Sequence, residues 1–142
     1  MTRRTTTFDC AGDSLVGTLD EGEDSTGLLL VTGGNETRAG AFSGQAQLAA
    51  RIAAAGFPVF RFDRRGVGDS EGTNRGFRES SPDITAACAA FRPEAPGMRN
   101  LPPPASLRLR NFSLSSLVTP STSSPTDSPN SSAISCAVSG VS

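Results

Sequence analysis

Two stretches carry continuous apolar runs bounded by turn residues. Gly27-Leu28-Leu29-Leu30-Val31-Thr32 predicts a strand covered on both faces. Phe57 to Phe62, opened by Pro58 and closed by Asp63, predicts a second strand over 58–63. Between them, Leu48 and Ile52 lie four apart with Ala49 and Ala55 beside them. That spacing predicts a helix over 44–55 with a narrow apolar face and Gly56 as its stop. Strand, loop, helix and strand make one βαβ unit, its strands parallel through a right-handed crossover. Upstream, Thr5 to Cys10 alternates loosely and Leu15 to Leu19 is a second short run, so the two predict a hairpin about the turn residues Ala11 to Ser14. Downstream, Ser81-Pro82-Asp83 reads as N-cap, first helical position and first-turn acid. Ile84, Ala87, Cys88 and Phe91 then fall on one face, which predicts a helix over 82–91 that Pro93 and Pro96 end.

Beyond Met98 the pattern fails. Leu101-Pro102-Pro103-Pro104 cannot be a strand, and 108–118 alternates weakly. Residues 119–132 are rich in Ser, Pro and Thr, and bury too little apolar surface to offset chain entropy. Ala133 to Val141 is short and small, with no evident partner. The expected organisation is an α/β domain over 1–98 and a disordered or frameshifted tail over 99–142.

Composition narrows the function classes. The 142 residues carry a net charge of −1, which gives no electrostatic case for nucleic acid or an anionic membrane surface. All basic residues are Arg; with the Ala, Gly and Pro content this suggests a GC-rich bacterial gene. The first residues have no apolar core behind them and no run reaches a membrane span of roughly 18 residues. Three widely spaced cysteines have no metal-like spacing. The expectation is a cytoplasmic protein with free thiols, no metal and no cofactor. Cys88, on a predicted helix face, reads as packing.

Candidate chemistry is concentrated at turns. Gly12-Asp13-Ser14-Leu15 spells a GDSL esterase signature, but the preceding stretch is too polar for the buried parallel strand such a nucleophile needs. Gly68-Asp69-Ser70-Glu71-Gly72 is a literal G-x-S-x-G. A nucleophile elbow turns directly from strand into helix, whereas Arg64 to Val67 intervene before this motif and Thr73 to Gly76 follow it. Its Asp and Ser therefore read as bonding to local backbone. The Gly33–Gly40 loop is either a tight strand-to-helix turn, a phosphate cradle without the usual glycine spacing, or a loop supplying an oxyanion-binding N–H. No histidine is present, so a Ser-His-Asp triad cannot be completed from these residues.

Several pieces together resemble a known family: Phe8 to Asp13 with Leu15 to Gly17, Gly33-Gly34 with Arg38 and Gly40, and Ala54 through Gly72 with its Phe62-Asp63-x-Arg65-Gly66-x-Gly68-Asp69-Ser70-x-Gly72 core. Asp83-Ile84, Ala89 to Phe91 and Pro96 to Arg99 also fit. They resemble the N-terminal part of an α/β-hydrolase, and within that superfamily are similar to the exosortase A system-associated hydrolases. The resemblance implies hydrolysis of an acyl or ester bond in a small-molecule substrate. It implies an oxyanion N–H at Gly34 or Asn35, with Arg65, Gly66, Gly68, Asp69 and Ser70 in a loop at the pocket rim. The family's Ser or Cys nucleophile would follow the next strand, with an acid and a His later. No G-x-[SC]-x-G follows Met98, and Cys136 lacks the elbow glycines, so no catalytic residue carries over. The expected function is part of a hydrolase, inactive as it stands. The alternative is a non-catalytic α/β module that binds a partner, or itself, through an open sheet edge.

Overall fold

The computed structural model describes residues 2–33, 35–94 and 134–139. Strands β1 (Arg3–Cys10) and β2 (Asp13–Asp20) form the hairpin, then come β3 (Gly27–Thr32), helix α1 (Gly44–Ala54), β4 (Val59–Phe62), helix α2 (Ser81–Glu94) and β5 (Ile134–Ser139). They form one mixed sheet in the order β1-β2-β4-β3-β5. The β1–β2 and β2–β4 pairs are antiparallel, whereas β3 runs parallel to β4 and to β5. Leu29 stands opposite Phe60, as the βαβ reading requires.

The hairpin is longer than expected because its turn is shorter. Ala11 (φ 54) and Gly12 (φ 90) both lie in the left-handed region, so two residues close it and Asp13 and Ser14 already belong to β2. Two consecutive positive φ angles match the twist of the flanking strands.

Strand alternation divides the apolar residues between the sheet's faces. Leu29, Val31, Phe60 and Phe62 join Leu15, Leu19 and Cys10 in a core closed by Ala87, Cys88 and Phe91 of α2. Leu30 and Val59 face the other way, against Ala49 of α1, with Leu28 and Ile52 beside them. The two helices thus cover opposite faces, and the two-sided burial explains why β3 reads as an unbroken apolar run.

Three details differ from the sequence pattern. The buried line of α1 is Gln45, Ala49 and Ala53, while Leu48 is half-buried and Ala55 is exposed. Ala49 is the residue of that line that packs on Leu30 and Val59, with Ile52 partly buried beside it. Helix α2 begins one residue early, with the Ser80 carbonyl accepting from the Ile84 N–H, and continues through Pro93 to Glu94. Finally, Ile134–Ser139 does have a partner: Cys136 pairs with Leu29 in a parallel ladder with β3. A run of Ile, Ala and Val among small residues suits that position. The rest of the expected tail lies outside the described residues.

Candidate active-site loops

Polar chemistry gathers where β3 and β4 end. The face of the sheet under α1 bears Thr18, Asp20 and Arg61, buried in positions where an apolar pattern would continue. Asp20 is fully buried; one oxygen takes Arg3 Nε at 2.5 Å and the other takes Arg61 Nε at 3.3 Å and Nη2 at 3.2 Å. Burial pushes the Arg61 guanidinium down from its ordinary value, and Asp20 pulls it back up.

Beyond β4, the Asp63 carboxylate is the junction of two loops. The Arg38 N–H donates to its Oδ1 at 2.6 Å, and Arg38 Nη1 and the Asp69 N–H donate to its Oδ2, the latter at 3.1 Å. Arg38 belongs to the β3–α1 loop and Asp69 to the loop after β4, so one buried side chain fastens both. Gly68 packs directly on it: a Cβ there would lie 2.4 Å from Asp63 Oδ2, and its φ of 55 is one that side chains rarely adopt.

The remaining residues of the second loop are tied down as well. Ser70 is buried; its hydroxyl accepts from the Val16 N–H at 2.9 Å and donates to the Asp63 carbonyl at 2.7 Å. Its oxygen thus serves both as acceptor and as donor within the protein. Glu71 binds Ser14 of the GDSL stretch through Ser14 N–H to Oε2 at 3.0 Å and Glu71 N–H to the Ser14 carbonyl at 2.9 Å. Arg65 reaches the start of α2, giving its N–H and Nε to Asp83 at 3.0 and 2.7 Å. The hydrogen bond to Asp83 pushes the Arg65 guanidinium up. Asp83 sits in the first turn of α2 as expected, and it is also a buried anchor that accepts a hydrogen bond from the Cys10 thiol at 3.6 Å. Burial and then Asp83 push that thiol up, so Cys10 stays protonated near neutral pH. Gly66 and Gly68 are exposed on the loop surface, with the Asp69 side chain at 71% exposure.

In the first loop, Asn35 is exposed and its Oδ1 accepts from Asn74 at 2.6 Å; Gly34 lies outside the described residues. The Glu36 N–H closes a turn onto the Gly33 carbonyl at 3.1 Å. Cys136 stands mid-strand in β5, not at a strand end where an elbow would begin. Among the described residues no group of His, Cys, Asp and Glu could hold a metal ion, and no helix is long and apolar enough to cross a membrane. The sequence reading missed the junction. One signal was present: Arg61 is the sole charge inside an apolar strand, and a buried charge needs a partner.

No protein-family model matches the sequence, and no curated protein matches it. Solved structures do match the fold. An α/β hydrolase, GrgF from Penicillium sp. sh18, superposes with a TM-score of 0.57 at 22% identity over 65% of this chain and 32% of that one. The Pyrococcus furiosus esterase Pf2001 gives 0.58 at 15% identity over 68% and 39%. Est1E from Butyrivibrio proteoclasticus, solved with ferulic acid, gives 0.53 at 19% identity over 60% and 36%. The chain has the fold of the first part of an α/β-hydrolase. It spans about a third of the length of these structures.

Proposed function

We propose that this chain carries the oxyanion side of an acyl- or ester-hydrolase site and turns over no substrate by itself. The observation that carries this reading is the convergence of the β3–α1 loop and the loop after β4 on Asp63, at the carboxyl ends of adjacent parallel strands. Ligands of open α/β sheets bind at that end. In acyl transfer a backbone N–H from the β3–α1 loop stabilises the oxygen that becomes negative in the tetrahedral intermediate. Gly34 or Asn35 is the donor by position, and Arg65 to Asp69 form the rim that a small acyl substrate would meet. The exosortase A system-associated hydrolases are the relatives to which the motifs point, and a bacterial cytoplasmic protein without cofactor is the setting they suggest.

The chemistry stops there for want of a base. Without an imidazole a serine hydroxyl stays protonated and weakly nucleophilic, and the hydrogen bonds of Ser70 hold its oxygen in a structural role. The purified chain is therefore expected to hydrolyse activated short-chain esters no faster than buffer. Turnover that disappears in Ser70→Ala or Ser14→Ala would contradict this and assign the nucleophile. The tail tests the reading from the gene. If residues from about 99 onward are out of frame, a single-base shift near the Met98 codon opens a frame encoding an apolar strand, then G-x-[SC]-x-[GA] and a later His. Absence of such a frame makes the tail native.

A further inference from the structure

We propose that Arg38 is the positioning residue of the β3–α1 loop: its guanidinium and both its backbone groups fix the loop over the carboxyl end of β4. This rests on the reading of that loop as the oxyanion loop. Every polar group of Arg38 is engaged. Its N–H goes to Asp63 Oδ1 at 2.6 Å and its carbonyl accepts from Arg61 Nη1 at 2.7 Å. Its Nε goes to Thr18 Oγ1 at 3.0 Å, its Nη1 to Asp63 Oδ2 and its Nη2 to Asp69 Oδ2 at 2.9 Å. The partners lie on β2, on β4, just after β4 and in the second loop. One residue therefore registers the first loop against the sheet and against the opposite rim.

Two physical reasons make arginine the residue for this place. A planar fork with five N–H donors can serve Thr18, Asp63 and Asp69 together, whereas a lysine ammonium is a point charge on a flexible stem. The second reason is electrostatic. Asp63 is fully buried beside the loop that would stabilise a developing negative charge, and Asp69 stands close by. Two uncompensated carboxylates would oppose that charge, and the Arg38 guanidinium offsets them.

The test is amide hydrogen exchange, read residue by residue by NMR on the full 142-residue chain. In Arg38→Met, protection of the residue-38, Gly40 and Asp69 amides is expected to fall roughly tenfold, the scale of a lost hydrogen bond. Amides of the β3–β4 and β1–β2 ladders should keep their wild-type protection. Arg38→Lys should recover only part of the loss. Unchanged loop protection in Arg38→Met, an equal loss throughout the sheet, or full recovery by lysine would each overturn the proposal. If Arg38→Met does not fold, Asp69→Ala removes the exposed outer partner alone. It should loosen Gly40 and Asp69 with the strands unchanged, and no change at those amides would overturn the proposal. Exchange reports the clamp whether or not the chain is a hydrolase, and ester turnover reports the hydrolase reading, so each can fail without the other.

Discussion

Phe60→Ala is expected to remove about 3–5 kcal/mol of folding stability, the scale of an aromatic truncation in a closed core. The ring is fully buried and lies flat on Phe91 of α2, with centroids 5.5 Å apart and planes 10° from parallel. Phe8 of β1 approaches it at 5.9 Å. Beneath it is Gly17, where a Cβ would come 2.3 Å from the ring's Cζ. One side chain thus joins β1, β2, β4 and α2, and a domain of this size has only about 5–15 kcal/mol in total. The Gly17 contact gives a sharper test than the single variant. Gly17→Ala should destabilise the wild-type protein through that clash, but should cost little, or recover stability, once Phe60 is alanine and the methyl has a void to enter. Urea denaturation of the four proteins measures the cycle. Strict additivity would mean that the ring does not rest on Gly17.

The second large effect belongs to the buried ion pair. Asp20→Ala should cost about 3–5 kcal/mol, because it leaves the Arg61 guanidinium buried without its carboxylate. Arg3, the other cation on Asp20, is 43% exposed at its side chain and can turn to water; Arg61, at 4%, cannot. The pair itself is worth much less than its breaking. Replacing both partners, Asp20→Leu with Arg61→Met, removes the unpaired charge along with the carboxylate. The double variant should be more stable than Asp20→Ala, and what remains should reflect chiefly the Arg38 carbonyl that loses its donor. A double variant as unstable as the sum of its parts would mean that the two side chains are not coupled.

The apolar pattern made the elements legible, and the polar junction was hidden for a physical reason. Runs such as Leu28 to Val31 announce a two-sided strand because burial on both faces leaves no room for alternation. The order hairpin, strand, helix, strand then restricts the topology to very few choices. Polar burial leaves no comparable periodic trace. Asp20 and Arg61 are 41 residues apart in sequence, and Arg38 and Asp63 are 25 apart. Only the sheet order brings them together. The G-x-S-x-G stretch shows the converse. Its spacing matches a catalytic motif, yet Ser70 is bonded to Val16 and Asp63, because the loop after β4 folds back on the hairpin before any helix begins. The β5 strand was missed for a third reason: Ile134 to Ser139 mixes small and apolar residues too evenly to predict a partner, and β3 supplies the ladder.

Everything functional depends on β3 and β4 lying side by side in parallel, because that brings the two loops to one end of the sheet. Interstrand nuclear Overhauser effects measure this directly. Contacts in parallel register are expected for Leu28 with Val59, Leu29 with Phe60 and Leu30 with Arg61. Close Hα–Hα contacts should appear instead between β2 and β4 at the non-hydrogen-bonded pairs Gly17 with Phe62 and Leu19 with Phe60, as antiparallel pairing requires. Close Hα–Hα contacts between residues 27–32 and 59–62, or no contacts between them at all, would contradict the α/β-hydrolase arrangement and the site built on it.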